Sequence, residues 1–348
     1  MIASLDRGLV CLALATSLAA AADTKAVTEA NAGLTLARQG KYELAIPHYR
    51  AAIAVDPQLP GVFLNLGLAY FKLDRFPEAV TAFERAAKED ATGFQLRVLL
   101  GMSYFGCRRF DAAAAQLKQA AAQQPDNFEL RYKLAQSYLW SRQYANATEE
   151  FRALLAKDPE SAHVHMLLGE VLDAANQEEP ATAEFEAAVK ATPPEPEAHF
   201  GLGYLYWKQK RYAEAAREFR AELAAQPRHA QALAYLGDSE MHENDEKAAA
   251  EHLRLALADE PGIRIAHLDL GIVLSDTQPG EAERHLREAI RLNPASPDAH
   301  YRLGRLLRAQ SREQEAAAEF AKVKELATKE EQPPPLIQVP GRQNEPRP

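Results

Sequence analysis

The sequence predicts an all-α protein, an α-solenoid of antiparallel helix pairs stacked one on the next. Three observations lead there. Alanine is abundant and β-branched runs are scarce among the 348 residues, a mixture that favours helices. One phrase of small, aromatic and proline residues returns about every 34 residues. A single copy of that phrase has too little apolar surface to close a core alone, so copies must stack.

The phrase is clearest from Gly203 to Phe219, "GYLYWKQKRYAEAAREF", two helical half-phrases with a turn between them. Small residues stand at Gly33, Gly67, Gly101, Ala135, Gly169, Gly203, Gly237 and Gly271, each 34 apart, and Gly304 follows after 33. Twelve residues later comes a second small residue: Ala45, Ala79, Ala113, Ala147, Ala181, Ala215, Ala249 and, in the ninth unit, Ala316. In the eighth unit it arrives one early, as Ala282, because the turn "SDTQPGEAE" is one residue shorter. Four residues on stands a large group: Tyr49, Phe83, Leu117, Phe151, Phe185, Phe219, Leu253, Leu286 and Phe320. Near most unit ends a proline (Pro57, Pro125, Pro159, Pro193, Pro227, Pro261, Pro294) stops the second helix, although the second unit has Ala91 there.

The small residues have a physical purpose. Two antiparallel helices approach closely only where the side chains at their crossing are small. A large residue at Gly203 or Ala215 would overpack the joint by about 1–3 kcal/mol. Glycine itself costs about 1 kcal/mol of helix propensity, which close packing must offset. Tyr42, Phe76, Phe110, Tyr144 and Tyr212 are expected to fill the elbow between the helices.

Period, small residues, aromatic and proline positions together resemble the tetratricopeptide repeat family over residues 26 to about 330. The units fall at 26–59, 60–93, 94–127, 128–161, 162–195, 196–229, 230–263, 264–296 and 297–330. The resemblance implies a right-handed α-solenoid superhelix whose first helices, the A helices, line a concave groove. It also implies recognition of a peptide or partner protein rather than bond-making.

The flanks differ from this pattern. Arg7, an apolar run over residues 8–18 and Ala20-Ala21-Ala22 read as a secretory signal peptide over 1–22, giving a mature solenoid over 23–330 and an exported chain, periplasmic or secreted. Membrane contact is expected only if that segment stays uncleaved. Residues 331–348 are proline-rich and read as a disordered tail. The net charge of −9 argues against nucleic acid as a partner. Of the two cysteines, Cys11 leaves with the signal, so Cys107 has no internal disulfide partner.

Chemistry-bearing motifs are absent from the sequence. No H-E-x-x-H, C-x-x-C, phosphate loop or G-x-S-x-G occurs, and no enzyme, cofactor or metal site is expected. His165, His199, His267 and His300 recur four residues before the small residue, a place read as packing between units. Equal places in adjacent units stand about a helix pair apart, too far to share one ion at roughly 2 Å.

The resemblance assigns the groove to fixed places on each A helix. Those places give Asn65, Leu68 and Lys72; Met102; Tyr132, Lys133, Gln136 and Trp140; Glu170; Tyr204, Trp207 and Lys208; Asp238; and Arg302 with Arg305. Both tryptophans fall among them, and aromatic and Met enrichment is typical of binding surfaces. Asn65, Gln136, Tyr204 and Trp140 are expected to be exposed. The carboxylate clamp of one subgroup is not matched: Leu34, Ala30, Gln95 and Leu99 stand where its Asn, Lys and Arg belong, and Asn65 alone fits. A helical or extended partner segment is the expected occupant. A narrower role as accessory subunit of an envelope assembly, secretion or polysaccharide-export machine stays open, as does sugar binding by Trp140, Tyr204 and Trp207.

Overall fold

The computed structural model describes residues 24–88, 93–191 and 195–327. The signal segment 1–22 and the tail 331–348 lie outside the described residues. Within the described residues every regular element is a helix, eighteen in all.

The chain divides into two compact units, the first ending at Pro159. The first holds α1 (Thr24–Arg38), α2 (Tyr42–Val55), α3 (Val62–Lys72), α4 (Phe76–Ala86), α5 (Phe94–Gly106), α6 (Phe110–Ala121), α7 (Phe128–Trp140) and α8 (Tyr144–Leu155). The second holds α9 (Ala162–Ala174), α10 (Glu178–Lys190), α11 (Ala198–Lys208), α12 (Tyr212–Ala225) and α13 (Ala230–His242). It continues with α14 (Glu246–Asp259), α15 (Arg264–Val273), α16 (Pro279–Leu292), α17 (Pro297–Ala309) and α18 (Glu313–Ala327). Odd-numbered helices are the A helices and even-numbered ones the B helices. Each A helix packs against the B helix that follows it, and within each unit each B helix packs against the next A helix. Consecutive A helices within each unit also touch, which sets them in one row.

The joint inside each pair follows from the small residue. A methyl carbon added at Gly203 would meet the Phe219 ring at 2.8 Å, and one at Gly67 would meet Phe83 at 2.6 Å. The notch is therefore filled by the ring on helix B. The alanine carbonyl comes second, as at Gly33, where Ala45 O lies 3.2 Å away. Phe83, Phe151 and Phe219 are fully buried there.

The elbow is built by two devices. A non-glycine residue in the left-handed region ends helix A: Asp74, Arg108, Arg142, Asn176, Lys210, Asn244 and Ser311, with Gly40 in the first pair. The turn closes with paired backbone bonds such as Asn176 N–H to Asp173 O at 2.9 Å and Gln177 N–H to Leu172 O at 2.8 Å, a Schellman arrangement that satisfies the last carbonyls. The shortened turn of the α15–α16 pair has no such residue. In three pairs an arginine next to helix B then lies over a tyrosine of helix A, Arg75 on Tyr70, Arg109 on Tyr104 and Arg211 on Tyr206, at 4.2–4.8 Å.

The recurrent histidines do more than pack. His165, His199 and His300 each bond a glutamate 19 residues on, in their own helix B: Glu184 at 2.6 Å, Glu218 at 2.9 Å and Glu319 at 2.6 Å. In the first pair the brace is inverted, Glu29 with His48 at 2.7 Å, and in α7–α8 it is Arg131 with Glu150 at 2.6 Å. In α15–α16 the acid is replaced, and His267 Nδ1 faces His285 Nδ1 at 2.9 Å. Cys107 caps α5, half-buried, and burial pushes its thiol pKa up.

Candidate functional site

The candidate site is the row of A helices, taken one unit at a time. In the first unit α3, α5 and α7 carry it. Leu68, Lys72 and Met102 are half-buried, while Asn65 is only 8% exposed. The exposure expected for Asn65 is therefore corrected: it stands in the first turn of α3, a helix that touches the A helices on both sides of it.

On α7 the polar residues form a chain. Lys133 Nζ lies 4.3 Å from the Phe105 ring centre and donates to Gln136 Oε1 at 2.9 Å. Gln136 Nε2 donates in turn to the Tyr132 hydroxyl at 3.0 Å. Burial holds the Lys133 pKa below the usual lysine range. All three side chains are half-buried. Trp140, in the last turn of α7, is 37% exposed, as expected, and its ring lies 6.1 Å from that of Phe110. An open cleft of about 420 Å³ runs beside it between Arg108, Arg109, Asp111 and Ser141.

In the second unit α9, α11, α13 and α15 bring the chemistry together. Tyr204, Trp207 and Tyr235 form a three-ring cluster, with centroids 4.9–5.7 Å apart. Tyr204 is 7% exposed, which overturns its expected exposure: its ring stands edge-on against Tyr235 in the junction between α11 and α13. The Trp207 indole N–H donates to Asp238. Asp238 is 5% exposed, so this groove residue is core rather than surface. Lys208 Nζ bonds Asp173 Oδ1 at 2.6 Å and lies 3.8 Å from Glu178. Tyr212 stacks on His242, centroids 4.0 Å apart.

Asp269 on α15 belongs to the same cluster and was missed from the sequence. It is 3% exposed, and its carboxyl stands against that of Asp238. Burial drives the pKa of both carboxyls up, and for Asp269 the Asp238 charge adds to it. The signal was available, because Asp269 holds the same place on its helix as Tyr235, Asn65 and Lys133. Burial also raises the Tyr204 and Tyr235 phenols.

The remaining predicted residues stand apart from this cluster. Glu170 is half-buried on α9. Arg302, on α17, pairs with Asp298 at 3.1 Å, and Arg305 on the same helix is exposed. Among the described residues no group of three or more His, Cys, Asp or Glu is placed to hold a metal ion.

Models of the tetratricopeptide repeat match residues 33–74, 62–92, 108–171, 173–227, 200–264 and 272–331, well over half of the chain. The chain belongs to the tetratricopeptide repeat family. The solved Cut9–Hcn1 hetero-tetramer of the APC/C shares the fold of this repeat protein, with TM-score 0.52 and 14% identity, covering 81% of this chain and 55% of that one. YrrB, described as a repeat protein with an unusual peptide-binding site, matches at 21% identity and TM-score 0.45 over 53% of this chain and 95% of its own. MamA matches at 21% identity and TM-score 0.41 over 47% of this chain and 95% of its own. A search of curated proteins finds no match.

Proposed function

We propose that the protein is a non-catalytic scaffold that binds a peptide or partner protein along its row of A helices. Trp140 carries the reading. It is a large aromatic left 37% exposed on that row, beside Lys133, Gln136 and Tyr132, and such residues dominate the energetics of protein interfaces. Half-buried Met102 and Trp207 extend the same chemistry within their units. Export of the mature chain to the periplasm or beyond is part of the proposal and rests on the N-terminal sequence. Sugar stacking finds less support, because Tyr204 is packed edge-on in a helix junction and presents no open ring face.

Affinity capture with residues 23–348 tests this, using Trp140→Ala as the second bait. A partner bound by the wild type and lost at least tenfold by the variant is the expected result. A partner that binds both equally would show that Trp140 is outside the interface.

A further inference from the structure

The described residues bury six acidic side chains, all in the second unit: Asp173, Glu218, Glu222, Asp238, Glu240 and Asp269. Four have matching donors. Asp173 takes Lys208 at 2.6 Å. Glu218 takes His199 at 2.9 Å and Arg217 at 3.0 Å. Glu240 takes His252 at 2.7 Å and Arg220 at 2.9 Å. Glu222 accepts from Phe200 N–H at 3.3 Å and Gln226 at 2.8 Å. The last two, Asp238 and Asp269, face each other instead.

The supply of donors to that pair is thin. Asp238 accepts from the Trp207 indole N–H and has the Asp269 carboxyl against it. Asp269 Oδ2 is buried and has no hydrogen-bond partner among the described residues. A buried carboxyl oxygen left unpaired has given up its water for no bond in return. The charged groups near it do not remove that deficit. Arg264 is exposed at the start of α15, and Asp298 adds a further negative charge. The pair is nonetheless within reach of the surface. His242 Nε2, on a 43% exposed side chain, lies 3.8 Å from Asp238 Oδ2, and the Trp207 ring over that carboxylate is half-buried.

We propose that Asp238 and Asp269 receive the guanidinium of an arginine side chain from the bound partner segment, with Trp207 and Tyr235 as the walls of the site. This rests on the groove reading above and names the chemistry that the groove selects in the second unit. A guanidinium is planar and carries five donors, so it can serve two carboxylates and stack on a ring at once. An ammonium is a point donor with a stronger hold on its water, and fits less well. On binding, the arginine takes over Asp238 from the indole and supplies a donor to Asp269 Oδ2.

The two tryptophans make the test direct. In Trp140→Phe, Trp207 is the only indole, and its emission reports on the bond to Asp238. The probes are blocked pentapeptides of alanine with a central arginine, lysine or citrulline, titrated to about 10 mM, a range that catches weak fragments. The arginine peptide is expected to change Trp207 emission saturably, with affinity at least tenfold above lysine and citrulline. Asp269→Asn in the same background is expected to lose at least tenfold. Asp238→Asn is a second variant, scored only if its circular dichroism matches the parent. Equal responses to arginine and citrulline, or to arginine and lysine, would overturn the assignment. So would unchanged affinity in Asp269→Asn together with a raised melting temperature, since the acids would then simply share a proton. With a captured partner, loss through Trp140→Ala but not through Asp269→Asn sinks the arginine site alone. Loss through neither sinks the groove reading as well.

Discussion

The two units are built from the same helix pair but differ in what they bury. Among the described residues the first unit, its tyrosines aside, buries the polar side chains Asn65, Ser103 and Ser137, none of them ionisable. The second buries six acids and His229, His267 and His300. Gly67 against Phe83 in one unit and Gly203 against Phe219 in the other make the same notch. The lesson is that the joint repeats while the row of A helices varies, so the same hairpin carries different side-chain chemistry in the two units. In the first unit that chemistry is amide, ammonium and exposed indole; in the second it is carboxyl and packed rings.

The sharpest way to break this contrast is to truncate one aromatic from each unit. Tyr204→Ala is expected to cost about 3–5 kcal/mol, because it empties a packed three-ring cluster. Trp140→Ala is expected to change stability by under about 1 kcal/mol, since its ring is already partly in water. Urea melts of both variants check this, and equal losses would erase the distinction between core and surface aromatics.

The common joint predicts equal damage in both units. Gly67→Leu and Gly203→Leu should each cost about 3 kcal/mol, because the first added carbon already meets a ring at 2.6 and 2.8 Å. Hydrogen exchange would show the loss confined to the altered pair and its neighbours. A cost in one unit only would mean that the joints are not equivalent.

A smaller effect separates the units by pH. In α15–α16 two imidazoles meet where other pairs set a histidine against glutamate. Burial first, and then the His267 charge, hold the His285 pKa below its usual value. A histidine so depressed favours the neutral form in the fold. Its contribution to stability is thus present above the ordinary histidine pKa of about 6.5 and is lost as pH falls through the folded value. His285→Glu rebuilds the brace. It is expected to gain about 1 kcal/mol over the wild type near pH 5 and little at pH 8. A gain of equal size at both pH values would show that imidazole charging is irrelevant.

An effect of similar size is expected in the first unit. Tyr49 fills the notch that phenylalanine or leucine fills elsewhere. Its hydroxyl is buried with no hydrogen-bond partner among the described residues, and burial pushes its pKa up to about 12. Tyr49→Phe removes that orphan and should stabilise by about 1 kcal/mol, read by thermal melting. A loss of stability would reveal a polar partner for the hydroxyl.

Much of the fold was legible because the joint is local and recurs. Gly203, Ala215 and Phe219 stand at fixed separations, and the same separations appear in unit after unit. The groove was legible only as a row of places. The sequence does not say which of those places the next A helix covers. Asn65, Tyr204 and Asp238 lie before the last turn of their helices and are buried; Trp140 is the last residue of its helix and is open. The histidine braces were hidden for a different reason. Their partners are 19 residues away on the other helix, a separation that means nothing until the hairpin geometry is known. Asp269 stood in the groove place of Tyr235 and Lys133 and could have been named from it, but a single aspartate on an apolar helix gives no hint that a second one faces it.

The brace also bears on how such a chain can change length. His–Glu, Glu–His and Arg–Glu versions all close inside a single hairpin, but Arg131 Nε also donates to Pro125 O and His300 Nε2 bonds Pro294 O at 3.2 Å, both in the stretch that leads in from the hairpin before. A hairpin can therefore be copied, excised or transplanted with its own clasp intact, provided the splice keeps the proline-bearing lead-in, such as Pro125 or Pro294, with it.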